Sequence, residues 1–134
     1  MTTSSTNSSN SANSLKTDSM QLKITIGTNI FTATLNNNET VTAFKSKLPL
    51  TIKMRELNGN EKYFDLPDNL PVSASNPETI QTGDLMLYGS NTLVLFYKSF
   101  STSYSYTPIG RIENTSGLTT ALGSGNITVK FELD

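Results

Sequence analysis

The sequence contains neither cysteine nor histidine, and charged side chains make up only 16% of its 134 residues. Without cysteine there is no disulfide framework, no thiol nucleophile and no thiolate-bound metal centre. Without histidine there is no imidazole general base, which excludes a Ser-His-Asp triad and the usual zinc, copper and non-haem iron sites. Only an all-oxygen metal site could form, and no calcium-loop motif supplies one. We therefore predict no metal and no cofactor.

An excess of charge of one sign is also missing. Ten basic and eleven acidic side chains give a formal net charge of −1. Because no basic excess exists to neutralise phosphates, a nucleic-acid partner is not expected. No run of about 20 apolar residues occurs, so we expect no transmembrane helix. Phosphate-binding glycine motifs are absent as well, and Gly123-Ser124-Gly125 is better interpreted as the end of a helix.

The first 19 residues differ in composition from the rest. Residues 1–14 contain six Ser, three Thr, three Asn and no charged side chain. Such a segment buries too little apolar surface to offset the entropy lost on ordering. We therefore interpret residues 1–19 as a disordered Ser/Thr/Asn-rich tether and residues 20–134 as one folded domain. A more specific alternative is that residues 1–19 form the stalk of an exported or surface-tethered protein whose signal peptide lies outside this chain.

Short strand patterns alternate with turn signals through the folded part. Apolar residues recur at every second position in several segments, the spacing of half-buried strands. Asn58-Gly59 is the strongest hairpin signal, because both positions tolerate positive φ. Strands are predicted at residues 21–26, 30–35, 51–57, 62–66, 85–88, 92–97, 107–112 and 127–133. Seven or eight short strands at regular spacing predict a mainly β fold, either a closed barrel or a sandwich.

Two short helices are predicted between the strands. The first is predicted to take its N-cap from Asn36-Asn37-Asn38 and to have apolar residues on one face, and Pro49 ends it. The second is predicted to begin at Thr115 or Ser116 and to end at Gly123.

Four segments resemble the bacterial cyclophilin-like fold proteins, which are small barrels related in architecture to the cyclophilins. The segments are Glu56-Leu-Asn-Gly-Asn-Glu-Lys-Tyr63, Gly83-Asp-Leu-Met-Leu-Tyr-Gly89, Leu95-Phe-Tyr97 and Ile109-Gly-Arg-Ile112. The likeness runs from about Gln21 to Glu132, and the order of elements also matches. The resemblance implies a closed barrel of about eight strands with a short helix capping each open end. It implies no activity, since members of this group are mostly uncharacterised.

The chain departs from the true cyclophilins where those isomerases carry their catalytic arginine beside a Phe-His pair. The corresponding stretch is Tyr63-Phe64-Asp65-Leu66, which has Asp and Leu in place of His and Arg. Isomerisation needs a cationic donor that stabilises a twisted amide, and a carboxylate has the wrong sign. We therefore assign no catalytic residue. A divergent prolyl isomerase that uses Arg55 or Arg111, the two arginines of the chain, is the alternative.

The segment Phe100-Ser-Thr-Ser-Tyr-Ser-Tyr106 is the most unusual in the chain. If it is extended, Phe100, Tyr104 and Tyr106 share one face and the serines share the other. Tyrosine and serine together form an adaptable contact surface at low entropic cost. With Tyr97 from the preceding strand and Arg111 as a charged anchor, these residues form the predicted binding groove. The alternatives are that the aromatic residues pack at the end of the barrel and that Arg111 forms a structural ion pair.

These features favour a non-enzymatic cyclophilin-like barrel that binds a peptide or small ligand. The alternatives are the divergent isomerase and a structural module that acts through oligomerisation. The sequence does not identify the ligand, the oligomeric state or the compartment.

Overall fold

Residues 20–134 form ten strands and two short helices. These residues are the part of the chain that a computed structural model describes. The predicted tether, residues 1–19, lies outside the described residues. The strands are β1 (Gln21–Ile26), β2 (Asn29–Leu35), β3 (Leu50–Leu57), β4 (Glu61–Asp65), β5 (Thr79–Ile80), β6 (Asp84–Tyr88), β7 (Thr92–Phe96), β8 (Phe100–Ser101), β9 (Thr107–Ile112) and β10 (Ile127–Leu133). The helices are α1 (Glu39–Lys45) and α2 (Leu118–Leu122).

Eight of the strands form one closed antiparallel barrel. Their order around the barrel is β1-β10-β3-β4-β7-β6-β9-β2, and β2 closes it by pairing with β1. The Asn58-Gly59 turn lies between β3 and β4, where Leu57 pairs with Glu61, and both turn residues have positive φ, 57° and 69°. The predicted mainly β fold with a closed barrel of eight strands is confirmed, and the sandwich alternative is wrong.

The barrel core is filled by the inward side chains of its strands and by one face of each helix. Phe44 of α1 is fully buried and meets Phe131 of β10 edge to face, with ring centroids 6.1 Å apart. Leu118 and Leu122 of α2 join the same cluster. Helices of seven and five residues are too short to be stable alone, so this burial holds them in place. No helix in residues 20–134 is long and apolar enough to cross a membrane.

The helix ends match the prediction at three points out of four. Asn38 caps α1, since its side-chain oxygen accepts the Val41 amide at 2.8 Å. The α1 helix ends at Lys45, well before Pro49, as the predicted stop requires, and Gly123 ends α2. The expected cap of α2 is wrong. Gly117, with φ of 81°, is the N-cap, and as a glycine it has no side chain to accept from the first turn; no side-chain cap forms.

A second apolar cluster lies outside the barrel wall. Successive residues of a strand point to opposite faces, so Leu93 and Leu95 of β7 enter the core while Val94 and Phe96 face outward. Loop residues cover this outer face, and the two-stranded sheet of β5 and β8 fixes them there. That sheet was not predicted, because strands of two residues are too short to show alternation. It holds the tyrosine-rich segment against β6 and β7.

Candidate functional site

A groove of about 350 Å³ lies on the outer face of β4, β7 and β6. Strand pairing builds its floor. Tyr63 lies opposite Val94 and Asp65 lies opposite Thr92, while Tyr88 is paired with Thr92 from the other side. Outward side chains of paired residues stand next to each other, so these residues form two adjacent rows across the barrel wall. We call this feature the tyrosine groove.

Three tyrosines form one wall of the groove. Tyr106 is only 6% exposed and packs against Tyr88 and Phe96, with ring centroids 5.6 Å and 5.5 Å away. Tyr104 is 61% exposed and meets Tyr88 nearly edge to face, at 6.1 Å and 85°. The wall therefore has a fixed base at Tyr106 and an open rim at Tyr104.

Two carboxylates make the groove acidic. Glu61 and Asp65 are four residues apart on β4 and both line the groove. Asp65 accepts a hydrogen bond from the Thr92 hydroxyl at 2.7 Å. Burial, with the nearby charge of Glu56, raises the pKa of Glu61. Within residues 20–134 neither carboxylate forms an ion pair, and no three acidic side chains come together to hold a metal ion.

The negative charge of the groove also acts on its tyrosine wall. The pKa of Tyr106 is raised, first by burial and then by the carboxylate of Glu61. Both effects disfavour a second negative charge in the same space.

The five residues predicted for the groove fall in four places. Tyr104 and Tyr106 line the tyrosine groove. Phe100 lies beneath it in the outer apolar cluster, with its ring centroid 5.7 Å from that of Phe96. Tyr97 is buried at the end of β7, where its hydroxyl donates to Glu56. Arg111 lines a second groove over β2 and β9.

Arg111 forms the structural ion pair that was the alternative to a ligand anchor. Its Nε lies 2.6 Å from Oδ1 of Asp84, a carboxylate with almost no exposed surface. The other oxygen of Asp84 accepts a hydrogen bond from the Gln81 amide at 2.8 Å. Arg111 is thus held at the junction of β9 and β6, and the structure does not bring it to the tyrosines.

A buried lysine organises one end of the barrel. Lys62 has no exposed surface, and its ammonium donates to Glu56 at 2.8 Å and to the carbonyls of Gly123 and Gly125 at 2.9 Å and 2.6 Å. All three of its N–H donors are therefore satisfied. The contacts tie the β3–β4 hairpin to the segment that follows α2.

Glu56 is the shared acceptor of this cluster. Its Oε1 also accepts from the Tyr97 hydroxyl at 2.7 Å. Burial would raise the pKa of Glu56, but the hydrogen bonds from Lys62, Tyr97 and Gly59 outweigh it and lower that pKa. Burial and the bond to Glu56 raise the pKa of Tyr97 to about 12. With its donors and acceptors used internally, the cluster is a structural clamp.

Sequence reasoning missed eight of the ten residues that line the groove, and it missed the centre of the clamp. The missed groove residues include the acids Glu61 and Asp65 and the tyrosines Tyr63 and Tyr88. Alternation along a strand shows which side chains face outward, but only pairing between distant segments brings these residues together. For Lys62 a signal existed: it shares the inward face of β4 with Phe64, where a charged side chain needs partners.

Comparison with known proteins agrees with the architecture. The solution structure of a hypothetical protein from Archaeoglobus fulgidus superposes with a TM-score of 0.61 at 21% sequence identity. The match covers 86% of this chain and 95% of that one, and at this identity it shows a shared fold. No curated protein sequence matches the chain. The sequence profile described as the Cyclophilin-like family matches residues 24–132, nearly the whole barrel, and the chain therefore belongs to the Cyclophilin-like family.

Proposed function

We propose that this protein is a non-enzymatic binding domain whose ligand, a peptide or small molecule, occupies the tyrosine groove. The observation that carries the proposal is the wall of three tyrosines, in which Tyr104 and Tyr88 are 61% and 45% exposed and pack beside the buried ring of Tyr106. Tyrosine offers a large, rigid and amphipathic contact area with few torsions to immobilise. The volume of about 350 Å³ is within the range of small-molecule sites.

The chemistry of the groove supports binding over isomerisation. A prolyl isomerase needs a cationic donor close to the reacting amide. Among the described residues, neither arginine lines the tyrosine groove: Arg111 is paired with Asp84 in the second groove, and Arg55 is exposed on β3. The charged groups that do line it are carboxylates, whose charge is opposite to that of the donor that stabilises a twisted amide.

The test is an NMR titration of the isotope-labelled full chain with a panel of short peptides, including proline-containing ones. We expect at least one peptide to shift the amides of β4, of Tyr88 to Val94 and of the tyrosine-rich segment. Tyr104→Ala should abolish these shifts. It should change the free energy of unfolding by less than about 1.5 kcal/mol, as exposed substitutions usually do.

Ile30→Ala is the matched control, since Ile30 is also 61% exposed but lies on β2 outside the groove. It should leave the titration unchanged. Two results would contradict the proposal. One is a panel in which no peptide shifts the groove. The other is a loss of about 3–5 kcal/mol for Tyr104→Ala, which would show that the ring is a packing residue.

A further inference from the structure

We propose that the tyrosine groove selects a ligand with an organic cation, an alkylammonium or guanidinium group, held between the tyrosine rings and the carboxylates of Glu61 and Asp65. This inference rests on the proposed function and adds the chemical class of the ligand. It is carried by two independent features of the groove, its unpaired negative charge and the arrangement of its rings.

The first feature is that two acids without a cationic partner line the same groove, whereas Glu39, Glu78 and Glu113, which also have no ion pair among the described residues, lie outside it. Glu56, Asp68, Asp84 and Glu132 each have a lysine or arginine nitrogen within 4.0 Å. Within residues 20–134, Glu61 and Asp65 have none, although Glu61 is partly buried. The neighbouring ammonium of Lys62 points to the opposite face of β4 and is bonded to Glu56. A positive ligand would supply the missing partner.

The second feature is the set of ring faces next to these acids. The planes of Tyr88 and Tyr104 are 85° apart and those of Tyr88 and Tyr106 are 54° apart, so the wall presents faces and edges in several directions. Tyr63 adds a further ring from β4. Ring faces carry negative potential and attract cations, and sets of such rings bind quaternary ammonium groups.

The combination favours an organic cation over a metal ion. Calcium takes six to eight oxygen ligands, whereas this groove offers two carboxylates beside aromatic rings. A guanidinium or a methylated ammonium is weakly hydrated and loses little on leaving water for an apolar wall. The same chemistry could come from the side chain of a peptide or from a free amine, and the experiment separates these two sources.

The test compares choline with 3,3-dimethylbutan-1-ol, its neutral isostere, by NMR titration of the full chain. The two molecules have the same shape and differ in charge. We expect choline to shift the groove amides and to bind about tenfold more tightly than the alcohol. Acetyl-arginine amide and acetyl-trimethyllysine amide, titrated in parallel, show whether a peptide side chain binds more tightly than the free amine.

Isosteric substitutions test which carboxylates attract the cation, because they remove the negative charge and keep the side-chain volume. Glu61→Gln and Asp65→Asn should each weaken choline binding about threefold or more. Glu39→Gln removes one negative charge from an exposed site on α1 and should leave the affinity unchanged, which controls for net charge.

The outcomes distinguish this inference from the proposed function. Equal binding of choline and its isostere, or binding unaffected by both substitutions, would overturn the cation assignment. So would a panel in which neutral peptides bind and none of the three cations does. In these cases the binding function stands if Tyr104→Ala still abolishes peptide binding. If no compound shifts the groove, both are wrong.

Discussion

At the scale of single residues, Lys62 shows how this barrel accommodates a charge in its interior. Moving an ammonium out of water costs several kcal/mol unless hydrogen bonds and an opposite charge replace its hydration. Lys62 has both, from Glu56 and from the carbonyls of Gly123 and Gly125. Its Nζ also lies 5.4 Å from the centre of the Tyr97 ring. The side chain acts as a cross-link between distant segments.

Lys62→Met should therefore destabilise the fold by about 3 kcal/mol, because it leaves two carbonyls without a donor and Glu56 without its cation. Urea denaturation followed by tyrosine fluorescence measures this change. Lys53→Met, at an exposed position on β3, is the matched control and should stay within about 0.5 kcal/mol. If the two variants lose equal stability, the clamp contributes nothing to the free energy of unfolding.

The residue scale is also where sequence reasoning was least complete. The sequence alone left undecided which group Arg111 pairs with, because its ion pair with Asp84 requires β9 to lie beside β6. Tyr97 was assigned to the groove because the predicted strand that contains it leads directly into the tyrosine-rich segment. Burial of its ring and the acceptor on Glu56 instead place it in the clamp.

At the scale of elements, barrel closure depends on the short seam between β2 and β9. The seam has three paired positions, and Gly110 lies at one end of it. A Cβ at Gly110 would meet the Thr34 carbonyl oxygen at 2.7 Å, a distance that a backbone atom cannot relieve without moving the strand. A glycine is needed here because the two backbones approach each other so closely.

We expect Gly110→Ala to cost about 2 kcal/mol, within the usual range for overpacking. Gly125→Ala is its control, since a Cβ there meets nothing within 4 Å. Thermal unfolding of both variants measures the difference. Amide exchange in the Gly110→Ala variant should rise first at β2 and β9. A variant as stable as the wild type would mean that the seam can widen freely.

The elements that could be predicted are those whose determining residues lie close together in the sequence. The β3–β4 hairpin rests on Asn58-Gly59 and on alternation within ten residues, and the structure contains it as predicted. The sheet of β5 and β8 joins residues about twenty positions apart through two pairs. No local pattern encodes such pairing, and it decides where the tyrosine-rich segment lies.

At the scale of the whole molecule, the segments that carried the family resemblance contribute to both the barrel and the groove. They include the clamp residues Glu56, Lys62 and Tyr97, which maintain the barrel, and the groove residues Glu61, Tyr63 and Tyr88. The groove draws on the outward face of β4 and on Tyr104 and Tyr106, which come from a loop segment. Membership of the family therefore predicted the architecture, whereas the groove required the three-dimensional arrangement.

The central claim is that the tyrosine groove binds a ligand without catalysing isomerisation. One NMR exchange experiment tests both parts, using a short peptide with an arginine beside an Ala-Pro bond and the full chain as the added protein. We predict shifts of the groove amides, with no increase in the rate of cis–trans exchange as protein concentration rises. The account would be contradicted by an exchange rate that grows with protein concentration and falls in Arg55→Ala or Arg111→Ala. Unshifted groove amides at saturating peptide would contradict it equally.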